Sequence, residues 1–483
     1  MTPSRHPTPS RIPSRALAAW RGALGADHVR TDPEELARAG RCTFADAPLP
    51  AVLLRPGTPE EVAACLCVAA RHGVRVHPVS TGRNWGYGSG CPPHEAMAVL
   101  HLARLDRVRD IDPVLGLATV EPGVTFGALA SALRERAPDR WPPATGAGPR
   151  TSVLGNALQR GIGHGPYGDL SAHLRPSEVA LSGGGLLHLT EGPGPDPVGL
   201  FRQGGPGVVT AGALILHPSP AVHQRLTFRL AAPGLLPAVL DAARDLLQRF
   251  GGGGPDGLTL DLLNADRLAA QLLPAPERAL PPPLDGPWSG HAQLWADDTA
   301  TLRLARERVL RTFAPWADCW DLGAETTGRG DGTAVEDGLA SAYRHKPGGP
   351  PPDAPADPDR DRCGVLWFAP RLPLLGAPAA TAVALIERTV RACGMEPCLS
   401  LRLAPRHLTC VTGLFWDRNA PGADRRAAGC HRRLTEECAR VGIFAYRPVL
   451  GRIPPQAVGP DTGRLLTRVC RVLDPRGVLG GAR

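Results

Sequence analysis

Residues 78–90 read PVSTGRNWGYGSG, four glycines in one tight segment directly after the apolar stretch VRVHPV. Two chemistries suit such a segment. It is either a surface turn, or a backbone wrapped round a phosphate-bearing ligand, because glycine reaches positive φ and lets consecutive N–H groups approach an anion. The spacing is neither G-x-G-x-x-G nor a Walker loop with its Lys-Ser/Thr pair. The loop also joins strand to strand, with no helix N-terminus for a dinucleotide phosphate to meet. Rossmann and P-loop assignments are therefore excluded. The twelve cysteines do not suggest a metal centre, since no CxxC pair occurs. Cys65 and Cys67 fall in PEEVAACLCVAARHG, and Cys430 and Cys438 flank HRRLTEE, all on helix-like segments where free thiols pack as small apolar groups. No metal site is expected.

The elements that must position the loop can be followed along the chain. A helix over 59–73 is opened by Thr58 and Pro59 and closed at Gly73. A strand at Val74–Val79 leads into the loop, and strands at Ala98–Leu102 and Leu117–Glu121 follow. PGVTFGALASALRERA gives a turn and a helix, and EVALSGGGLLHL a hairpin turning on Gly183–Gly185. Near residue 220 the texture changes to Arg/Leu/Ala helices such as LLPAVLDAARDLLQRF, with strands GHAQLWA and CGVLWFAP between them. The Pro/Gly-rich stretches 273–289 and 347–360 read as surface loops.

At 483 residues the chain is long enough for two or three domains. Its net charge of +8 comes almost wholly from arginine, with Lys346 the single lysine. Those arginines alternate with acids, as in LARLDRVRDID, which is the pattern of a solvated face and argues against nucleic-acid binding. The N-terminal MTPSRHPTPSRIPSR has no apolar run, so it reads as an unfolded arm and not as a secretory leader. No stretch approaches the roughly 20 apolar residues of a membrane span, and a cytoplasmic protein is expected.

VSTGRNWGYG, followed by VEPGVTFGALASAL, resembles the FAD-binding domain of the vanillyl-alcohol oxidase and p-cresol methylhydroxylase family. The likeness continues through VLGNALQRGIGHGPYGD, GVVT at 207–210, DRCGVLWFAP at 361–370 and the closing LDPRGVLGG. The resemblance implies an α+β flavoprotein in which a PCMH-type FAD-binding domain is split in sequence and an α+β cap domain lies between its two parts. The expected division is a disordered arm at 1–20, the FAD-binding domain at 45–220, the cap carrying the substrate pocket at 221–440, and a segment at 441–483 that completes the FAD domain and active site. By the same likeness Ser80, Thr81, Gly82, Arg83, Asn84, Trp85, Gly86, Tyr87 and Gly88 wrap the pyrophosphate. Ser152, Gly155 and Asn156 lie along the flavin, and Val209 and Thr210 contact the adenosine end.

In phenol-oxidising members a tyrosine of the G-Y-G turn and a Tyr-Arg pair near the C-terminus bind the phenolate oxygen. Tyr87 and the pair Tyr446-Arg447 stand at those places, although each tyrosine also suits a packed aromatic with a satisfied hydroxyl. Where relatives carry an acid, this chain has Ala147. Where they carry Met-His-His, it has Leu408, Thr409 and Cys410. His164 replaces an aromatic and is a candidate substitute base, or a structural histidine. The segments that tether the flavin in relatives offer no His or Tyr, so non-covalent FAD is expected, with Cys363 the alternative. The implied activity is hydride transfer from a 4-alkylphenol, a 4-hydroxybenzyl-like compound or a related aromatic substrate to flavin N5, with dioxygen or an electron-carrier protein as acceptor. A homodimer is compatible with this reading. The alternatives are a non-phenolic alcohol, a hydroxy acid or a natural-product intermediate as substrate, or a catalytically silent flavin-binding subunit.

Overall fold

The computed structural model describes residues 12–190, 193, 196–250, 256–272, 280–327, 337–351, 353–451 and 453–479. Three sheets organise them. The first takes its strands in the order Val29–Arg30, Val52–Leu54, Ala98–His101, Val76–Val79, the last three parallel. Helix Pro59–His72 makes the crossover within this sheet. Thr58 Oγ1 caps it by accepting from Glu61 N at 3.2 Å, and Gly73 ends it in the left-handed region. Its buried face of Val62, Cys65, Leu66 and Ala69 lies in the core of this layer.

The same core corrects the expectation of a disordered arm over 1–20. Ser14–Leu24 is a helix, with Ala16, Trp20 and Leu24 buried four residues apart and Trp20 Nε1 donating to Cys65 O at 3.1 Å. The Pro/Ser/Arg content of the first fifteen residues hid this apolar stripe. Residues 1–11 lie outside the described residues.

The second sheet is antiparallel, in the order Val108–Asp112, Leu117–Val120, Gly207–Ile215, Leu174–Leu181, Leu186–His188. Its last two strands are the expected hairpin, with Gly184 at φ 89° in the turn. The third and largest sheet is also antiparallel. Its main order is Ala317–Leu322, Val222–Leu230, Trp288–Ala296, Gly257–Asn264, Cys398–Leu403, His407–Asp417, Cys363–Phe368. Helices Leu236–Phe250, Thr299–Phe313, Gly376–Ala392 and Ala423–Arg440 pack with it round one core.

After the last of these helices the chain returns to the first sheet, where Val76 N donates to Val478 O at 2.8 Å. Asp474 clamps that return by accepting from the N–H groups of Val478 and Leu479, each at 2.9 Å. Of the two stretches read as surface loops, 273–279 lies outside the described residues, and Ser289 is fully buried in a strand. The end of the second turns inward: Asp357 and Asp359 are buried, pairing with Arg83 and with Ser89 Oγ respectively. Proline and glycine marked an irregular path, and the acids that face the glycine loop decide its depth.

Candidate active site

The glycine loop forms one wall of a cavity of about 440 Å³ at the junction of all three sheets. Gly82, Gly86 and Gly88 have φ of 70°, 75° and 119°, values only glycine adopts without strain. The loop is pinned from outside: Gly86 N donates to Thr43 Oγ1 at 3.0 Å, and Leu450 N donates to Tyr87 O at 2.7 Å. Ahead of those pins, the backbone N–H groups of Thr81, Gly82, Arg83 and Asn84 meet no acceptor among the described residues, although all four residues line the cavity. A run of N–H groups without protein acceptors beside a cavity could hold an anion.

A second part of the wall comes from Ser152, Gly155 and Asn156, next to the loop, where Ser152 N donates to Thr81 Oγ1 at 3.2 Å. Ser152 caps the short helix that follows it, accepting from Gly155 N at 2.9 Å. An added Cβ at Gly155 would sit 2.6 Å from Ser80 Oγ, so only glycine allows this helix to approach the loop. Asn156 Oδ1 and Trp85 Nε1 are buried without hydrogen-bond partners among the described residues. Both residues line the cavity, where a polar ligand could pair these atoms.

Tyr87, Tyr446 and Arg447 meet in the same cavity. Arg447 is 9 % exposed; its Nη2 donates to Asn84 Oδ1 at 2.6 Å, and its Cζ lies 4.6 Å from the centre of the Tyr87 ring. Arg371 lies 4.9 Å over the Tyr446 ring and donates to Asp169 at 2.8 Å. Burial raises the Tyr87 pKa, Tyr446 adds to the rise, and Arg447 opposes it. Burial likewise raises Tyr446 against the pull of Arg447 and Arg371. Both phenols therefore stay protonated at neutral pH and serve as donors beside a fixed cation.

No Asp or Glu occurs among the described lining residues, whose cations are Arg83, Arg267 and Arg447. Arg83 pairs with Asp357, whereas Arg447 and Arg267 meet no carboxylate among the described residues. His77, also in the wall, is held down to about 4 by burial and is neutral.

Three of the residues singled out in the sequence stand elsewhere. Gly86 is a packing glycine: an added Cβ would lie 2.2 Å from Trp367 Cδ1. Thr210 is fully buried, and its hydroxyl donates to Glu178 Oε1 at 2.8 Å, which the pleat places on the face away from Val209. His164 does not line the cavity. The residue as a whole is exposed, yet desolvation, Arg402 and Arg225 lower its pKa to about 3, which makes it a weak base.

Sequence reasoning missed Thr43, which joins the loop to the cap by donating to Val365 O at 2.8 Å, and Trp367, whose Nε1 donates to Trp85 O at 3.1 Å. It also missed Arg267, an unremarkable arginine in NADRLAAQLL.

Comparison with known proteins bears on the fold and the family. The FAD binding domain family matches residues 50–190. The chain is 32 % identical to the 1'-carboxy-chondrochloren decarboxylase of Chondromyces crocatus, over 97 % of this chain and 96 % of that one. It is 25 % identical to the 4-cresol dehydrogenase (hydroxylating) flavoprotein subunit of Pseudomonas putida, over 97 % and 95 % of the two chains. The fold superposes on a substrate-bound p-cresol methylhydroxylase with a TM-score of 0.82 at 21 % identity, covering 96 % of this chain and 95 % of that one.

Proposed function

The chain belongs to the vanillyl-alcohol oxidase and p-cresol methylhydroxylase family of PCMH-type FAD-binding flavoproteins, and from that premise we propose that it oxidises a phenol at the carbon para to the hydroxyl. It is an FAD-dependent oxidoreductase. The cavity suits that cofactor, with free N–H groups on Thr81 to Asn84 for a pyrophosphate and the orphaned Asn156 Oδ1 and Trp85 Nε1 for polar edges. FAD, when bound, supplies a two-electron hydride acceptor.

One observation carries the phenolic reading: two protonated tyrosine hydroxyls and a carboxylate-free guanidinium, from segments some 360 residues apart in sequence, line one cavity. Donors converging on a phenol oxygen stabilise its anion and lower its pKa from the ordinary value of about 10. Arg447 supplies the charge, Tyr87 and Tyr446 the oriented hydrogen bonds, and Asn84 fixes the guanidinium. The phenolate then pushes electron density towards the para carbon, which eases departure of hydride from the attached benzylic carbon. No carboxylate in the described wall opposes that anion.

A second reading refines the first, and the decarboxylase relative favours it. If the para side chain ends in a carboxylate one carbon beyond the benzylic position, loss of the phenol proton and the benzylic hydride leaves a quinone methide. The bond to the carboxylate then breaks, and its electron pair forms the new side-chain double bond as the ring regains aromaticity. Carbon dioxide leaves, and no further oxidant is needed.

Anaerobic addition of 4-alkylphenols to the FAD-loaded protein, followed by visible absorption, tests the first reading. Bleaching supports it, whereas an unchanged spectrum with saturating ligand overturns it in favour of a non-phenolic substrate or a silent flavoprotein subunit. Carbon dioxide released in proportion to bleaching supports the second reading, and a product that retains its carboxylate removes it. The electron acceptor follows from the reduced protein, by comparing reoxidation in air with reoxidation by an electron-carrier protein.

A further inference from the structure

Arg267 stands in the cap, on helix Ala265–Leu272, yet shares the cavity wall with the glycine loop. It is 7 % exposed. Its Nη1 donates to Ser341 Oγ at 2.9 Å and its Nε to Ser400 Oγ at 3.1 Å, while Asn264 Oδ1 fixes its backbone N–H at 3.0 Å. The rings of Trp367 and Phe415 lie 5.5 and 5.9 Å from its Cζ. Two neutral hydroxyls thus set the direction of the guanidinium without neutralising it. Nη2 has no acceptor and no carboxylate meets the group among the described residues. Burial lowers its pKa, but a guanidinium remains charged at any working pH.

We propose that Arg267 recognises a carboxylate on the substrate's para side chain, so that the cavity selects phenols bearing an acidic arm. The proposal rests on the phenol reading above. Buried charges are retained where they are paired or where a ligand pairs them. The cavity has two buried guanidiniums without carboxylates, and the phenolate accounts for Arg447 alone. A second anion on the same ligand accounts for Arg267, and the absence of Asp and Glu from the described wall leaves nothing to repel it. The same wall carries Val365, Trp367 and Val411, apolar groups that suit an aromatic body.

The test is equilibrium binding, independent of turnover. The probes are 4-hydroxyphenoxyacetate, whose ether oxygen replaces the benzylic carbon and cannot yield hydride, and its primary amide, each titrated calorimetrically into the FAD-loaded protein. Wild type is expected to bind the acid at least about tenfold more tightly than the amide, the scale of one charge-assisted hydrogen bond. Arg267→Met is expected to bring the acid down to the affinity of the amide while the amide's own affinity, the control for folding, stays within about twofold. Arg267→Lys is expected to retain part of the preference. Equal binding of the two probes by wild type, or an unchanged preference in Arg267→Met, overturns the proposal. So does loss of the flavin's sulfite adduct in Arg267→Met with the acid preference intact, which assigns the guanidinium to the cofactor. Phenoxyacetate, which lacks the hydroxyl, separates the two readings. If it binds as tightly as the hydroxylated acid, and does so through Arg267, the carboxylate site stands and the phenol reading fails.

Discussion

Arg447 lies over the Tyr87 ring, its Cζ 4.6 Å from the ring centre, while its Nη2 donates to Asn84 Oδ1 at 2.6 Å. The cation is thereby fixed by one residue of the glycine loop and set against another, so on the proposed reading the loop offered to the cofactor also aims the substrate's counter-charge. Arg447→Met is expected to lower kcat/KM for a 4-alkylphenol by about a hundredfold and to raise the pH at which flavin reduction reaches half its limit, because the bound phenol then ionises less readily. Tyr446→Phe removes one donor and is expected to cost about tenfold without moving that pH as far. Rapid-reaction traces across pH check both, and rates like wild type in both variants remove the phenolate mechanism.

Gly86→Ala places a methyl 2.2 Å from Trp367 Cδ1, at a φ of 75° that alanine rarely adopts. Both strains act on the contact that holds the loop to the cap, where Trp367 Nε1 donates to Trp85 O. The variant is expected to lose about 1–3 kcal/mol of stability and to release FAD more readily on gel filtration. A melting temperature and flavin content like those of wild type would sink this account of Gly86.

The loop and the helix Pro59–His72 were legible because capping, glycine spacing and apolar periodicity are local properties. Twelve of the fourteen cofactor positions read from the sequence line the cavity, and the two exceptions, Gly86 and Thr210, show what local reading lacks. Whether a glycine serves a ligand or a neighbouring tryptophan depends on Trp367, far away in sequence. Which face of a strand Thr210 occupies depends on register, which Glu178 reveals only in the folded sheet. Arg267 was invisible for the same reason: its meaning comes from the carboxylate that is not beside it.

The flavin is expected to be held without a covalent bond. Cys363 is 1 % exposed, lies outside the cavity lining, and has its thiol pushed up to about 12 by burial. Cys91 does line the cavity, but its neighbour Cys42 and burial also raise its pKa, so it stays a thiol. Acid precipitation should leave the yellow colour in the supernatant. Flavin remaining with the pellet would show a tether and direct the search to Cys91.

His164→Ala is expected to leave the rate of flavin reduction within about twofold of wild type, since the residue is outside the cavity wall and its imidazole is too weak a base to draw a phenol proton at neutral pH. A fall of a hundredfold with FAD still bound would restore His164 as a base and require the cavity to extend to it.

Asp169 links the site to acid stability. Burial alone would raise its pKa, but the Ser171 hydroxyl, Arg371 and Arg160 outweigh that and leave it at about 2. Because the folded carboxyl is more acidic than the unfolded one, its stabilisation is fully present above the unfolded pKa near 4. It is lost as pH falls from there towards about 2. The fall from the ordinary 3.8 to about 2 corresponds to about 2–3 kcal/mol. Asp169→Asn is expected to be less stable by about that amount at pH 6 and to show a flatter fall between pH 4 and pH 2.5. Arg371, released from Asp169, also loses its hold over the Tyr446 ring, so the same variant is expected to raise KM for phenols. Denaturant titrations at several pH values check the first effect and steady-state kinetics the second. A wild-type pH slope in the variant would mean that other carboxylates carry the acid transition.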